Sequence, residues 1–195
     1  MSLFDDIKDT AAGRELSIRW YQSRIGDLEG RYLTAPSLID EGISEERVTS
    51  RPTYWMMNMF RYFPLKGERL PYWDLYPLVL PLQRRSDGFI GLNFHYLPIA
   101  QRIKVLDRMK IYGVERTGRM KVSFPMIVDW KGVKQMTRRY KAKRVKSLFL
   151  QIPLEDMLIG ALLPVQRFYT GSYGAKKRIK DEIVYREQRR IYQNA

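Results

Sequence analysis

Two apolar runs joined by a polar turn constrain the fold of this chain more than any other feature. The runs are Tyr76–Leu82 and Phe89–Leu97, and the connection Gln83–Gly88 between them ends in Asp-Gly. Asp-Gly ahead of an aromatic and β-branched run is a strong β-hairpin signal. In the second run apolar positions alternate with mixed ones, and this period of two predicts a strand with one firmly apolar face.

The first run carries two prolines, Pro77 and Pro81. Because proline has no N–H to donate to a strand ladder, this arm is predicted to be an edge strand or a bulged one. A further aromatic and methionine-rich run, Pro52–Phe63, has the length of a strand buried on both faces. A β core over about residues 52–98 follows from these three runs.

Helical patterns surround this core. Asp9–Leu28 is predicted as a first helix, and residues 99–112 carry an apolar stripe that ends at Gly113, with Arg102 among the basic residues expected to be solvated. Residues 32–51 are interpreted mostly as a connector. The predicted fold class is α+β: a small antiparallel β-module, either an SH3-like-sized barrel or a twisted sheet, flanked by helices.

The remaining segments are read from weaker patterns. Val114–Gly132 is compatible with a strand interrupted by Pro125, Val145–Ile152 with a strand that returns to the sheet, and a short helix is expected after Pro153. Gln166–Gly174 is predicted as a loop. The chain is divided into one α+β domain at residues 1–172 and a basic helical tail at residues 173–195, which is expected to order against DNA or a neighbouring subunit.

The chain is strongly basic, and its positive charge is unevenly distributed along the sequence. The chain has a formal net charge of +14, and residues 99–150 alone carry 15 basic and 3 acidic side chains, a net of +12. A block of this kind points to a polyanionic partner, of which nucleic acid is the commonest. A solvated face, or a surface that docks on an acidic protein, is the alternative.

Within this block, residues 131–146 are dense in Lys and Arg, contain no acid and carry one tyrosine near the middle. Cations with an interleaved aromatic suit backbone-tracking of nucleic acid with little sequence reading. The candidate nucleic-acid-binding residues in this segment are Lys134, Arg138, Arg139, Tyr140, Lys141, Lys143, Arg144 and Lys146. Those in the predicted tail are Lys176, Lys177 and Arg178.

The motifs of catalysis are missing from the sequence. There is no cysteine, and the single histidine, His95, lies in the alternating strand, where a structural role is the better interpretation. No phosphate-binding loop, metalloprotease motif or nuclease-like carboxylate cluster is present. We therefore expect no enzymatic activity, no cofactor and no metal. The longest apolar run, near Met157–Val165, is too short to span a bilayer, so no membrane partner is expected.

Three strings in the hairpin region, Leu70–Asp74, Tyr76–Leu78 and Gly88–Pro98, resemble virion proteins of T-even-like contractile-tailed phages. Proteins of that group are described as DNA end protectors. The resemblance implies a virion protein, assembled in the host cytoplasm, that binds double-stranded ends of packaged DNA near the portal and neck and contacts other virion subunits. It marks a fold and supplies no contact residues.

Two other functions stay open. The chain could be a structural adaptor of the phage neck, tail or baseplate that contacts only protein subunits, with its aromatic and methionine surface making the contacts. It could also be a host-directed nucleic-acid binder made early in infection. Whether the basic segments share one face of the molecule discriminates among these functions.

Overall fold

The computed structural model describes residues 47–64, 72–110, 124–127, 129–130, 132–153, 156–162, 168–171 and 176–193. The predicted helix Asp9–Leu28 and most of the connector at 32–51 lie outside them. The strands are β1 (Val48–Thr49), β2 (Met57–Met59), β3 (Trp73–Asp74), β4 (Leu78–Arg85), β5 (Gly88–Asn93), β6 (Thr137–Lys141), β7 (Phe149–Ile152), β8 (Phe168–Thr170) and β9 (Lys177–Ile179). The helices are α1 (Ile99–Lys110), α2 (Phe124–Ile127), α3 (Val133–Met136), α4 (Met157–Leu162) and α5 (Asp181–Gln193).

The predicted hairpin is confirmed as the pair β4 and β5, joined by a turn at Ser86 and Asp87. Leu82 is an extra residue between the pairs Pro81–Gly91 and Gln83–Ile90, so β4 carries a bulge immediately after its second proline. Of the two alternatives predicted for this arm, the bulge is therefore the one observed. β4 is not an edge strand, because it lies between β2 and β5.

Six strands form one antiparallel sheet in the order β1-β7-β2-β4-β5-β6, and a smaller sheet has the order β3-β8-β9. The fold class α+β is confirmed at this level. The larger sheet curls, because an isolated bridge joins Tyr62 beyond β2 to Val145 beyond β6. Neither sheet closes on itself within the described residues, so an SH3-like barrel is not confirmed.

The two faces of the larger sheet are covered by different residues. Met57, Met59, Leu80 and Leu92 face a core that includes the apolar side of α1. The opposite face is filled by an aromatic cluster, defined as Phe60, Tyr62, Val79, Phe89, Tyr140 and Phe149. Within it Phe60 meets Tyr140 edge-on, with ring centroids 5.4 Å apart, and Phe89 stacks on Tyr140 at 5.3 Å. Because successive side chains of β2, β4 and β5 point to opposite faces, these strands contribute residues to two separate cores.

Several weaker predictions are corrected. The segment Phe124–Ile127 is a turn of helix, where a strand interrupted by Pro125 was expected. Residues Phe168–Thr170 form β8 inside the predicted loop, since they pair with β3 and β9. The predicted strands at 52–63 and 145–152 are confirmed in shorter form as β2 and β7, and the helix after residue 99 is confirmed as α1. Gly113 lies outside the described residues.

Arg102 of α1 is buried, contrary to the expectation that it is solvated, and is only 1% exposed. Its guanidinium donates to the carbonyls of Leu97 (2.7 Å) and Ala161 (3.1 Å) and to the Tyr185 hydroxyl (3.1 Å). A buried cation must be paired in this way or it would destabilise the fold. Arg102 thus ties α1 to α4 and α5.

The C-terminal segment is packed on the rest of the chain. Lys177–Ile179 form the edge strand β9, and α5 follows with Val184 and Gln188 fully buried. The Tyr72 hydroxyl donates to the Glu187 carboxylate of α5, and burial together with that carboxylate raises the pKa of Tyr72 to about 12. A separate helical tail at residues 173–195 is therefore not confirmed.

Candidate nucleic-acid interface

The strand β6 divides the basic segment between the interior and the surface. Successive side chains of a strand point to opposite faces. Arg138 and Tyr140 point inward and are buried, whereas Arg139 is exposed and Lys141 is half-buried. Two of the candidate contact residues are thus taken into the core by the period of the strand, and their neighbours remain on the surface.

Arg138 is held by three groups. Its guanidinium lies 3.8 Å from the centre of the Tyr96 ring, donates to the Gln188 side-chain oxygen of α5 at 3.0 Å and donates to the Thr137 carbonyl at 2.7 Å. A cation stacked on an aromatic ring and hydrogen-bonded inside the protein does not reach a DNA phosphate. The Arg138 guanidinium instead joins β6 of the larger sheet to the C-terminal helix α5.

Tyr140 belongs to a buried polar network that connects the two sheets. The Asn93 side-chain amide donates to the Tyr140 hydroxyl at 2.9 Å and to the Asp74 carboxylate at 3.0 Å. The other oxygen of Asp74 lies 2.6 Å from Nδ1 of His95. Burial raises the pKa of Tyr140 well above its usual value, so its hydroxyl stays neutral.

His95 and Asp74 resemble part of a catalytic triad but are 1% and 4% exposed. Burial lowers the pKa of His95, partly offset by the hydrogen bond with Asp74, so the imidazole is neutral and donates from Nδ1. Its Nε2 is buried with no hydrogen-bond partner. Because neither side chain meets solvent, the pair joins β3 to the end of β5, and the structural interpretation of His95 is favoured.

The exposed cations converge where the β4–β5 turn meets the connection between β6 and β7. The Ala142 N–H donates to the Asp87 carbonyl at 2.9 Å, and Gly88 is the pairing partner of both Arg85 and Lys141. We call this surface the basic rim. It comprises Arg84, Arg85, Arg139, Lys141, Lys143, Arg144 and Lys146, all exposed or half-buried.

Negative charge at the basic rim is slight. Asp87 is the only acid between Gln83 and Gly91, and residues 132–153 contain none. Its carboxylate accepts from Arg139 at 2.9 Å, and this hydrogen bond is the main reason that the pKa of Asp87 lies below its usual value. The rim contains six further cations, and Asp87 is its one acid among the described residues, so the surface potential at the rim is positive.

A groove of about 410 Å³ opens beside the basic rim. Its lining includes the exposed residues Arg51 and Arg84, the end of β4 at Arg85, and the aromatic residues Tyr54, Phe89 and Phe149. Among the residues that the structure describes, no acid lines the groove. Cations and aromatic side chains around a shallow cavity match the general requirements for binding a phosphate and a base.

The other candidate residues lie elsewhere. Lys177 and Arg178 are exposed along β9, the edge strand of the smaller sheet. Lys176 is exposed directly before β9, and its Nζ lies 4.9 Å from the centre of the Tyr169 ring. Lys134 is exposed on α3. The two predicted sets of cations therefore occupy edge strands of two different sheets.

The family model described as Phage T4 terminal DNA protecting protein matches residues 5–182. The chain belongs to this family. The match covers nearly the whole chain and confirms the resemblance seen in the hairpin strings. No curated protein and no solved structure matches the chain.

Three cations of the groove and the hairpin tip were not among the candidates chosen from sequence: Arg51, Arg84 and Arg85. Arg84 and Arg85 fall at the tip of a predicted hairpin, and a basic pair at a hairpin tip is a usable signal because such tips are exposed. Arg51 has no such signal, since it joins the groove only through the folding of the segment before β2.

Across the described residues, no three His, Asp or Glu side chains come together in a group that could hold a metal ion. The helices in the described part of the chain are too short or too polar to cross a membrane.

Proposed function

We propose that this protein is a non-enzymatic virion protein that binds the ends of packaged phage DNA and shields them from exonuclease. Membership in the terminal DNA protecting family is the observation that carries the proposal. We place the protein near the portal and neck, among other virion subunits, which is the location implied by the resemblance to T-even-like virion proteins. The mechanism is steric coverage of the end.

The basic rim is the surface that we assign to the DNA. Its seven cations converge at one end of the larger sheet around a single acid, Asp87. Each Lys or Arg that neutralises a phosphate releases a counterion, which supplies affinity without reading sequence. Binding of this kind suits an end protector, since any terminal sequence must be covered.

Arg138 and Tyr140 have a different part in this proposal. They are buried under the rim and hold β6 in place, so they support the contact surface without touching phosphate. A second exposed set binds either a more distant part of the DNA or a neighbouring subunit; it consists of Lys176 directly before β9 and of Lys177 and Arg178 on β9.

The first test compares linear blunt-ended DNA with closed circular DNA of the same length. We expect tighter binding to the linear form, affinity that falls as salt rises, and slower digestion of the bound linear DNA by an exonuclease. The rim variant Lys143→Gln/Lys146→Gln should lose protection. The control Arg186→Gln/Arg189→Gln, which removes two exposed charges from α5, should retain it.

Equal and weak binding to both forms that disappears by physiological salt would contradict the proposal. It would favour the structural adaptor of the neck, tail or baseplate. One observation favours that alternative. β6 and β9 are edge strands, and exposed Lys and Arg on an edge strand also prevent pairing with other sheets, which would explain these cations without DNA.

A further inference from the structure

The groove beside the basic rim has the size and the lining of a nucleotide site. Its volume of about 410 Å³ falls within the range of small-molecule pockets, which begins near 300 Å³. Arg51, Arg84 and Arg85 approach it from two separate segments of the chain, before β2 and at the tip of the β4–β5 hairpin. Guanidinium groups bind phosphate oxygens in pairs of hydrogen bonds.

The segment that carries Arg51 and Tyr54 is fixed in place by a buried side chain. Asn58 is fully buried, and its amide accepts from the Thr53 N–H (3.2 Å) and donates to the carbonyls of Thr53 (2.9 Å) and Met56 (2.6 Å). The groove is therefore formed before any ligand arrives, which lowers the entropic cost of binding.

Backbone strain occurs in the same segment. Trp55, directly after Tyr54, has φ of 63°, a left-handed conformation that a bulky residue rarely adopts. Its N–H donates to the Pro81 carbonyl at 2.9 Å, which joins the segment to β4. Strain of this kind persists where the surrounding structure over-determines it, and it is concentrated at binding sites.

Tyr54 is the aromatic side chain of the groove that is only half-buried. Burial raises the pKa of its hydroxyl, partly offset by the positive charge of Arg84, so the phenol is neutral and lies near that cation. Phe89 and Phe149 below it are almost fully buried. A base entering the groove thus meets one accessible ring, with phosphate-binding groups beside it.

We propose that this groove holds the terminal nucleotide of a DNA strand, with its phosphate monoester on Arg51 and Arg84 and its base against Tyr54. The inference deepens the proposed function and rests on it. A terminal monoester carries close to two negative charges and three acceptor oxygens, whereas each internal phosphodiester carries one charge. A site that prefers the monoester distinguishes the end of DNA from its interior, which the basic rim alone does not.

The test uses the full chain and short blunt duplexes that differ only at their ends: 5′-phosphate, 3′-phosphate, hydroxyl at both, and a closed dumbbell without ends. Fluorescence anisotropy at one salt concentration gives the four affinities. We expect one of the two phosphorylated duplexes to bind about tenfold more tightly than the hydroxyl-ended duplex. If it is the 5′-phosphate duplex, the groove holds the 5′ end of a strand; if it is the 3′-phosphate duplex, the groove holds the 3′ end.

Arg51→Gln should reduce this discrimination to less than about threefold while leaving binding to the dumbbell within about threefold, because Arg51 lines the groove and lies outside the basic rim. Arg51 is exposed, so an unchanged melting temperature is expected and should be verified. Tyr54→Leu is a second variant and should weaken binding to phosphorylated ends without changing the affinity for the dumbbell. The matched control Lys143→Gln/Lys146→Gln should weaken all four duplexes equally.

Two results would overturn the inference: no preference for either phosphorylated end in the unaltered protein, or a preference that stays about tenfold in Arg51→Gln. Failure of the proposed function is a separate outcome. A protein that prefers hydroxyl-ended duplex to dumbbell but ignores the phosphate is still an end binder without this site, whereas a protein that binds dumbbell and open duplexes equally is not an end binder.

Discussion

Single residues decide how closely the strands of the hairpin region approach. A Cβ at Gly88 would lie 1.9 Å from the Tyr140 carbonyl oxygen of β6, and one at Gly91 would lie 2.4 Å from the Val79 side chain. The first contact is with backbone that is itself hydrogen-bonded in the sheet, so it cannot be relieved by turning a side chain. Gly88 is therefore required by the packing of β5 against β6, in addition to its place in the turn.

Gly88→Ala is expected to destabilise the protein by about 3 kcal/mol, because the methyl group forces β5 and β6 apart. Urea unfolding followed by circular dichroism measures the loss. Ser86→Ala in the same exposed turn is the control and should change the free energy of unfolding by less than about 0.5 kcal/mol. Equal midpoints for Gly88→Ala and the unaltered protein would contradict the expectation.

Protonation of His95 is expected to weaken the fold. Its pKa is lowered in the folded protein, mainly by burial, so below about pH 6.5 the unfolded chain binds a proton that the folded chain excludes. Stability attributable to this residue is therefore present above pH 6.5 and is lost as the pH falls, by at most about 1.4 kcal/mol per pH unit.

The measurement is the free energy of unfolding between pH 7.5 and pH 5 for the unaltered protein and for His95→Gln. Other groups titrate in both proteins, so the readout is the difference between the two slopes. The slope should be shallower in His95→Gln. Identical slopes would mean that His95 binds protons to the same extent in the folded and the unfolded chain, which would contradict the expectation.

At the scale of elements, β6 separates buried from exposed side chains within five residues. Arg138 and Tyr140 enter the core because β5 pairs with β6 in a register that places them beside Gly91 and Phe89, where the aromatic cluster and Tyr96 accept them. Arg139 lies opposite Ile90 on the other face and pairs with Asp87 in solvent. Adjacent arginines thus have different roles.

Arg138→Met should lower the free energy of unfolding by about 1–3 kcal/mol, because Gln188 loses a charged hydrogen-bond donor inside the protein. Arg139→Met removes only an exposed ion pair that water screens, so it should cost less than Arg138→Met. Thermal melts of both variants give the comparison. A larger loss for Arg139→Met would show that the assignment of faces along β6 is wrong.

At the scale of the whole molecule, charge is concentrated where two connections meet. The hairpin tip and the segment between β6 and β7 are distant in sequence, and the hydrogen bond from Ala142 to Asp87 brings them together. The cations on β9 belong to a different sheet. The salt dependence of the affinity for DNA is therefore expected to come from the cations of the basic rim.

Lys143→Gln/Lys146→Gln should reduce the slope of log K against log salt concentration by about 1.8, since each phosphate contact in B-DNA contributes about 0.9. Titrations between about 50 and 200 mM salt measure the slope. The α5 control Arg186→Gln/Arg189→Gln should leave it unchanged. Equal reductions in the two variants would mean that DNA is bound without preference for the rim.

The hairpin, helix α1 and the basic balance of the chain could be predicted from sequence because their signals are local. Asp-Gly between two apolar runs specifies a turn, a repeating apolar stripe specifies a helix, and charge needs only counting. The residues of the rim from Arg139 to Lys146 were found in the same way, by charge density. Membership in the end-protecting family was likewise recognisable from three short strings.

What the tertiary structure alone decided is which face of each element is covered. Arg102, Arg138 and Tyr140 read as surface residues in a basic chain, yet they are buried because other elements supply carbonyls, an amide and aromatic rings at the right places. The packing of α5 on the sheets and the position of Arg51 beside the hairpin tip likewise depend on contacts between different elements. These contacts link residues far apart in sequence, so no local pattern carries them, and burial is fixed only when the partners meet.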